Sequence, residues 1–578
     1  MIDPLPIDSG VSEPGDVVSG SSGSSDGATE PGDVGDAEPA PPPEPDLPMD
    51  DDGEIASDDP IEPIEADGDA VSDSSFEYLF YRPRVQVTVV DISDRSAPTV
   101  LSRTTFEGRT VSSRMIDRRL HLVIANHPEF FYDVLPLGQP EPVYDDIDLD
   151  DLLPDFVSED ADGQKVAGSI VGWQRFYRPA DPDGFGVTSI ISMDVDDAAG
   201  FEAVGVVAQP ALIYASREAL YLTDMDYTWW GAARETTDIY KFSFTDTGVE
   251  LTAAGTVPGR IADQYHMGEH SGDLRVASST FPRFNRVTGV FEESGNHVYV
   301  LRNVDGSLEI VGRVENIAPG EDLKAVRFMG DRAIIVTFRQ TDPFFTIDLS
   351  DPTAPRVAGE VEVPGFSTFM VPMDDDHMLT IGHYVPLEGW GVPDGIQLSI
   401  FDISDFANPV RSHNVIVAGQ STSSEAVWNP KAFTYFPDRD LLALPMEIYN
   451  YDFWWEEWDF AIAVDGVPVA DADVASVAPI TEESDFVGLY VYRVTAEDGF
   501  EHLGRIATQN AEMYYNTNRF TRGVFIGDNV YAVTDRTIIG APVEAIESVP
   551  FSVELSDESD DVDGASLPPI MEGPVLPD

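Results

Sequence analysis

One turn sequence recurs along this chain and constrains its fold more than any other feature. It reads Asp, Ile or Leu, Ser, Asp, three variable residues, then Pro, and its copies begin at Asp91, Asp348 and Asp402. The first carboxylate can accept hydrogen bonds from amides two or three residues further on. The Pro can open an outer strand, where a missing N–H does least harm. The pattern therefore predicts a repeated strand–turn–strand device, and not an active site.

The spacing of the copies indicates an internal repeat. Asp348 and Asp402 are 54 residues apart, and pairs of alternating apolar runs lie between the copies. The clearest pairs lie at 88–106, 343–365 and 398–419, and weaker ones at 189–207, 238–259, 297–314 and 489–506. A four-stranded antiparallel unit recurring about every 40–55 residues is typical of a β-propeller. We therefore predict an all-β chain with almost no helix.

The number of blades depends on how the ends of the repeat pair. The fold prediction is seven blades of four antiparallel strands over 76–555, with inserted loops at about 128–187 and 447–485. The first strand pair lacks two inner strands, and 521–535 would supply them in a seven-bladed arrangement. The segment 536–555 resembles a further outer pair, which instead indicates eight blades. Both counts stay open at this point.

The two flanks of the chain have the composition of disordered segments. Residues 1–75 hold 22 acids without a Lys, Arg, His or aromatic residue, and 556–578 hold seven acids without a base. Pro, Gly and Ser fill most of the rest. Such segments cannot bury enough apolar surface to offset their ordering entropy. We expect 1–75 and 556–578 to be disordered and 76–555 to form the folded domain.

Charge and composition exclude several classes of partner and chemistry. The net charge is −72, which argues against nucleic acid and against an anionic membrane surface. The chain has no cysteine, so disulfides and thiolate sites are excluded. The chain has no run of 18 apolar residues, which a transmembrane segment would need. The N-terminus as given lacks the basic and apolar regions of a signal peptide. We expect a monomer.

Several blocks of the sequence resemble a known family. They lie at 213–225, 236–244, 274–278, 317–369 and 424–445, and 317–369 is the most specific. They are similar to secreted bacterial and archaeal proteins with a C-terminal β-propeller domain, distantly similar to WD40 propellers. The resemblance covers about 85–555 and implies a propeller, export from the cytoplasm and no catalytic residues. The family usually has a signal segment and a further repeat where this chain has its acidic stretch; a misplaced start or a truncated N-terminus would explain this difference.

Two acidic or histidine-containing stretches are the candidates for metal binding. Asp181 and Asp183 begin a segment like the start of a calcium loop, although the bidentate Glu that such a loop needs is missing. Weak calcium binding there stays a hypothesis beside a plain solvated loop, and no other cofactor is expected. His266 and His270 match an H-x-x-E-H zinc pattern, but Gly268 interrupts the helix that this chemistry requires. That stretch is interpreted as a polar turn.

Tryptophans in two loop segments are the candidates for ligand contact. They lie in two loop segments, one of them inside the second insertion, and stand beside carboxylates: Trp229, Trp230, Trp454, Trp455 and Trp458. Aromatic rings in such a setting can stack on sugars or grip cations, or they can pack as a lid. Packing is the favoured interpretation.

Two functional hypotheses follow from the sequence. The first is a non-catalytic, exported propeller that acts as a binding or scaffold module for a protein, a glycan or a cell-surface polymer. The alternative is an extracytoplasmic metal-dependent hydrolase or lyase with its site at the channel mouth of the propeller. The nine histidines are spread over the seven repeats, which favours the first hypothesis over a metal site at the channel mouth.

Overall fold

The computed structural model describes most of the chain between Pro83 and Leu555. The described residues are 83–126, 153–178, 186–197, 200–208, 212–226, 235–285, 290–339, 342–386, 393–418, 422–449, 480–481, 485–508, 521–547 and 551–555. They belong to one compact unit, which contains Pro83–Asp578. Within them the secondary structure is β-strand, with short 3-10 turns and no α-helix. The all-β prediction is confirmed.

The strands form antiparallel sheets in chain order, numbered here one to eight. Sheet one is β1 (Arg84–Asp91), β2 (Thr99–Glu107), β5 (Asp155–Asp160) and β6 (Lys165–Ser169). Sheet two is β3 (Arg109–Ile116), β4 (Arg119–Asn126), β8 (Val187–Asp194) and β9 (Phe201–Val206), with β7 (Phe176–Tyr177) parallel to β9. The 3-10 turn η1 (Trp173–Arg175) precedes β7.

Sheets three and four are the two halves of an eight-stranded sheet joined by one parallel bridge. Sheet three is β10 (Leu212–Ala215), β11 (Ala219–Asp226), β12 (Thr236–Phe244) and β13 (Val249–Pro258). Sheet four is β14 (Met267–His270), β15 (Asp273–Thr280), β18 (Gly295–Val304) and β19 (Ser307–Ile317). The turn η2 (Gln264–His266) precedes β14, and β16 (Arg283–Asn285) pairs with β17 (Val290–Glu292).

The C-terminal half repeats the same order. Sheet five is β20 (Asp322–Met329), β21 (Arg332–Phe338), β22 (Asp342–Asp348) and β23 (Arg356–Val363). Sheet six is β24 (Phe366–Pro372), β25 (His377–His383), β26 (Gly395–Asp402) and β27 (Val410–Ala418).

The last two sheets complete the series. In sheet seven β28 (Thr422–Ser423) and β29 (Thr434–Phe436) both pair with β30 (Leu441–Ile448), and β32 (Phe486–Thr495) and β33 (Gly499–Ala507) follow. Sheet eight is β34 (Arg522–Ile526), β35 (Asn529–Val533), β36 (Thr537–Pro542) and β37 (Phe551–Glu554). The remaining 3-10 turns are η3 (Glu425–Val427), η4 (Pro430–Ala432), η5 (Pro437–Arg439) and η6 (Val543–Ala545).

The predicted hydrogen bonds of the recurrent turn are present in all three copies. The Ser93 amide lies 2.8 Å from Asp91 Oδ1, and the equivalent Ser350–Asp348 and Ser404–Asp402 distances are both 2.9 Å. These bonds hold the pKa of each first aspartate below its usual range. The second aspartate of each copy also accepts an amide two residues on. The turn therefore builds its geometry from local contacts.

A second use of the turn is to hold neighbouring sheets together. Leu349 follows Asp348 and is buried against sheet four, while Ile403 follows Asp402 and is buried against sheet five. The turn after β26 also approaches Gly359 on β23, where a Cβ would lie 2.6 Å from the carbonyl carbon of Ala407. Each described hydrophobic cluster likewise spans two successive sheets. Burial between sheets therefore makes the core.

The first insertion contributes strands to sheet one, and the pairing of the C-terminal strands shows which neighbours they have. Within 128–187, β5 and β6 extend sheet one from the outer edge of β2. In the second insertion β31 (Ile480–Thr481) lies parallel to β27. Because β35 pairs with β34 and β36, it cannot also supply an inner neighbour to β1. The pairing expected for a seven-bladed arrangement is therefore wrong, while the blade count itself stays a prediction.

We predict that Gly359→Ala destabilises the fold. The new methyl group would meet the backbone of Ala407, which cannot rotate away, so sheets five and six would be pushed apart. The free energy of unfolding should fall by about 1–3 kcal/mol in urea denaturation. Gly172→Ala is the matched control, because its nearest neighbour is a side-chain atom 4.0 Å away. Equal midpoints for the two variants would contradict this role of the turn.

We predict that the stabilisation from the Asp402 turn depends on pH. The carboxylate accepts the amide and hydroxyl of Ser404 at 2.9 and 2.6 Å, and its pKa is lowered on folding. Its contribution is therefore present above the unfolded pKa and is lost as the pH falls through the folded pKa. Asp402→Ala should cost about 0.5–1 kcal/mol at neutral pH. Urea denaturation should show this deficit narrowing as the pH falls from about 5 towards 2; a deficit that stays constant would refute the assignment.

Candidate functional site

The most unusual strand in the described structure is β1. By sequence it ends in Asp91 of the recurrent turn, as β22 ends in Asp348 and β26 in Asp402. Its pairing with β2 also has the register shift two residues before that aspartate which β22 and β26 show with their outer neighbours. Both features identify β1 as a third strand. In sheets five and six two strands lie inside the third, whereas β1 is the first strand of its sheet.

Among the described residues no strand lies beside β1 on the side away from β2, and β1 is half-exposed. Its side chains alternate between exposed and partly buried, whereas seven of the eight residues of β26 are buried. The contrast is greatest at the residue after the aspartate: Ile92 is 64% exposed, while Leu349 and Ile403 are fully buried. These two side chains pack on the preceding sheet. Ile92 is thus an exposed apolar side chain at a position that is buried in the other two copies of the turn.

A groove of about 510 Å³ runs beside this exposed strand end. Its walls are the end of β1 with Ile92, the β3–β4 turn and the end of β8. Apolar surface comes from Val89, Leu101, Leu120 and Met193. We name it the β1 groove. Because it joins an apolar lining to a strand edge that has no partner in the described part of the chain, it can accept an extended polypeptide by main-chain hydrogen bonding.

The rim of the β1 groove is acidic. Asp91, Asp194 and Asp196 line it, together with Arg118. Arg118 forms an ion pair with Asp196, which raises the pKa of the guanidinium. Arg119 pairs with Asp194 at 3.3 Å. Asp91 accepts the Ser93 amide and hydroxyl, which lower the pKa of its carboxyl. It stays ionised and forms no described ion pair, so the rim favours cationic groups.

The H-x-x-E-H stretch does not form a metal site. His266 ends η2 and its Nδ1 lies 2.8 Å from Asp263 Oδ1, while His270 ends β14 and its Nε2 lies 3.4 Å from Asp331. Glu269 instead pairs with Lys241 at 2.8 Å. The three side chains therefore have separate partners. No group of three His, Asp or Glu side chains in the described ranges is arranged to hold a metal ion.

The residues selected from the sequence fall outside the described residues. This applies to the calcium candidates and the tryptophans: Asp181, Asp183, Trp229, Trp230, Trp454, Trp455 and Trp458. The flanks 1–75 and 556–578 also lie outside them. The β1 groove was missed as a site, although the absence of two inner strands before the first turn copy was its signal. No helix in the described part has the length and apolarity that a membrane span requires.

Comparison with known proteins agrees with this architecture. An uncharacterised protein of Archaeoglobus fulgidus is 35% identical over 223 residues, which are 39% of this chain and 32% of the relative. An uncharacterised protein of Methanocaldococcus jannaschii is 37% identical over 158 residues, 27% of this chain and 23% of the relative. The matched stretches thus cover a third or less of these relatives. The family model for the β-propeller domain matches residues 51–545, and the chain belongs to that family.

Proposed function

We propose that this β-propeller is a non-catalytic binding module, and that the β1 groove binds an extended segment of a partner protein. The observation that carries the proposal is the exposure of Ile92, where Leu349 and Ile403 are buried in the equivalent position. An incoming strand would pair with the open edge of β1 and place alternate apolar side chains in the groove. It would restore the neighbour that a third strand has elsewhere.

The charge of the rim specifies the partner further. Asp91, Asp194 and Asp196 line the groove; Asp194 and Asp196 pair with Arg119 and Arg118, so Asp91 carries the negative charge that has no described ion pair. A segment with Lys or Arg beside its apolar residues would complement this rim, and an acidic segment would be repelled. The partner that we propose is therefore a basic, extended polypeptide.

A second copy of the chain fits this surface less well. The span 76–555 holds 76 acids against 33 bases, so two copies repel one another at low ionic strength. Self-association would show in light scattering coupled to size exclusion, and a dimer that Ile92→Glu dissociates would replace the partner with a second copy.

The experiment uses a synthetic peptide of about ten residues in which Val alternates with Thr and a Lys stands at each end. Binding to the full chain is measured by fluorescence anisotropy at low salt. We expect saturable binding that Ile92→Glu weakens at least about tenfold, because the change removes apolar contact and adds a negative charge. The same peptide with Glu at its ends should bind the unmodified chain more weakly than the Lys peptide does.

The control variant is Val410→Glu. Val410 begins β27 and is 51% exposed, so the substitution adds the same charge at a similar depth on another sheet. It should leave peptide binding unchanged, and both variants should melt like the unmodified chain. Binding that falls equally in the two variants, or that does not distinguish the Lys peptide from the Glu peptide, would defeat the proposal.

Export of the protein is part of the same proposal and is supported by the family resemblance in the sequence. The glycan-binding alternative depends on tryptophans outside the described residues. The metal-dependent alternative has no candidate ligand cluster within the described ranges. Neither alternative therefore has a specific structural observation in its favour.

A further inference from the structure

Sheet eight has one face that no described residue covers. Its other face packs on sheet seven, where Val530, Ala532 and Ala541 are buried in a shared cluster. The other described clusters join other pairs of successive sheets, and sheet eight contributes to none of them. In the described part of the chain, sheet eight therefore packs through one face, whereas sheets three to seven pack through two.

The strand register assigns the side chains of the open face. Because Val530 is buried against sheet seven, its neighbour Tyr531 points to the opposite side. Tyr531 is the register partner of Val524 on β34 and of Gly540 on β36, and Gly540 is the partner of Phe551 on β37. Register partners share a face. We call this surface the sheet-eight face; its central positions are Val524, Ile526, Tyr531, Val533, Ile538, Gly540, Phe551 and Val553.

The side chains of the sheet-eight face are apolar and open to solvent. Ile526 is 62% exposed, Phe551 51% and Val553 46%. The rings of Tyr531 and Phe551 lie 6.1 Å apart in an edge-to-face arrangement. A Cβ on Gly540 would lie 2.7 Å from atoms of both rings, which agrees with the register. A contiguous exposed apolar surface of this kind is typical of an interface.

The charges at the ends of these strands are paired. Three ion pairs lie there: Arg522 with Glu425, Asp528 with Arg439, and Asp535 with Arg536. The first is bidentate, with distances of 2.6 and 2.7 Å. The large excess of negative charge on this chain is therefore not concentrated around the sheet-eight face.

Sheet one offers no matching apolar surface within the chain. Val87 packs towards sheet two, so its neighbours Gln86 and Thr88 point to the opposite side, where both are exposed. Their register partners on β2 are Thr105 and Arg103. Burial of these polar groups against an apolar sheet would leave them without hydrogen-bond partners. Sheet one is therefore a poor cover for the sheet-eight face.

We propose that the sheet-eight face is an interface between two copies of this chain. A two-fold contact brings the same surface against itself, so an apolar face is complementary to its own copy. Two such sheets can pack face to face, about 10 Å apart. Because the charges around this face are paired, two strongly acidic copies meet the least local repulsion here. The proposal replaces the monomer that the sequence led us to expect.

The net charge of the chain makes this association depend on salt. The span 76–555 holds 76 acids against 33 bases, so overall repulsion opposes contact at low ionic strength. Between about 0.01 M and 1 M salt the Debye length falls from about 30 Å to 3 Å, which removes most of this repulsion. A dimer held by apolar contact therefore becomes tighter as salt is added, whereas one held by ion pairs becomes weaker.

The test is sedimentation equilibrium of the full chain at ionic strengths of about 0.01, 0.15 and 1 M. We expect a monomer–dimer equilibrium whose Kd falls at least about tenfold over this range. No larger species should form, because a two-fold contact uses the face once and closes. A monomer at all three ionic strengths, a series of larger assemblies, or a dimer that dissociates as salt is added would overturn the proposal.

Variants then locate the contact. Ile526→Glu places a negative charge in the proposed interface and should raise the dimer Kd at least about tenfold at high salt. Ile92→Glu is the matched control, because Ile92 is exposed to a similar degree on another surface, and it should leave the dimer unchanged. Should Ile526→Glu fail to fold, Val553→Glu on β37 gives the same readout. A dimer that Ile92→Glu dissociates and the sheet-eight variants keep would contradict the proposal and assign self-association to the β1 groove.

Discussion

Burial of the side chain after the turn aspartate against the preceding sheet is the contact on which this architecture depends. Leu349 and Ile403 lie in the clusters between sheets four and five and between sheets five and six. The aspartate before each one accepts two hydrogen bonds from the following serine, which fixes the direction of the chain. Gly359 on an outer strand leaves room for the next turn. The local hydrogen bonds of the turn thereby fix the spacing between neighbouring sheets.

The same device explains why the first sheet is different. Asp91 makes its local bonds as Asp348 and Asp402 do, yet within the described ranges no preceding sheet packs on Ile92, which is exposed. The local hydrogen bonds of the first turn copy are therefore formed, whereas its apolar side chain is not buried between sheets. A strand edge of this kind can pair with other strands, and the acidic groove beside it favours basic ones.

Sequence patterns predicted the features that local chemistry controls. The turn copies, their amide hydrogen bonds and the all-β class follow from short motifs and from period-two alternation. The pairing of β35 was not predictable in this way, because the sequence pattern allowed it to pair either with the first strands of the chain or with 536–555.

Amide hydrogen exchange of the full chain tests the central claim most directly, because it compares β1 with β26 in one experiment. The two strands end in the same turn, but among the described residues β1 has no neighbour on the side away from β2, whereas β26 lies between β25 and β27. We expect the amides of 84–91 that point away from β2 to exchange at least about a hundredfold faster than those of 395–402, since an open edge leaves these amides without acceptors. Equal protection of the two strands would show that β1 already has a partner in the native chain, and would contradict the account.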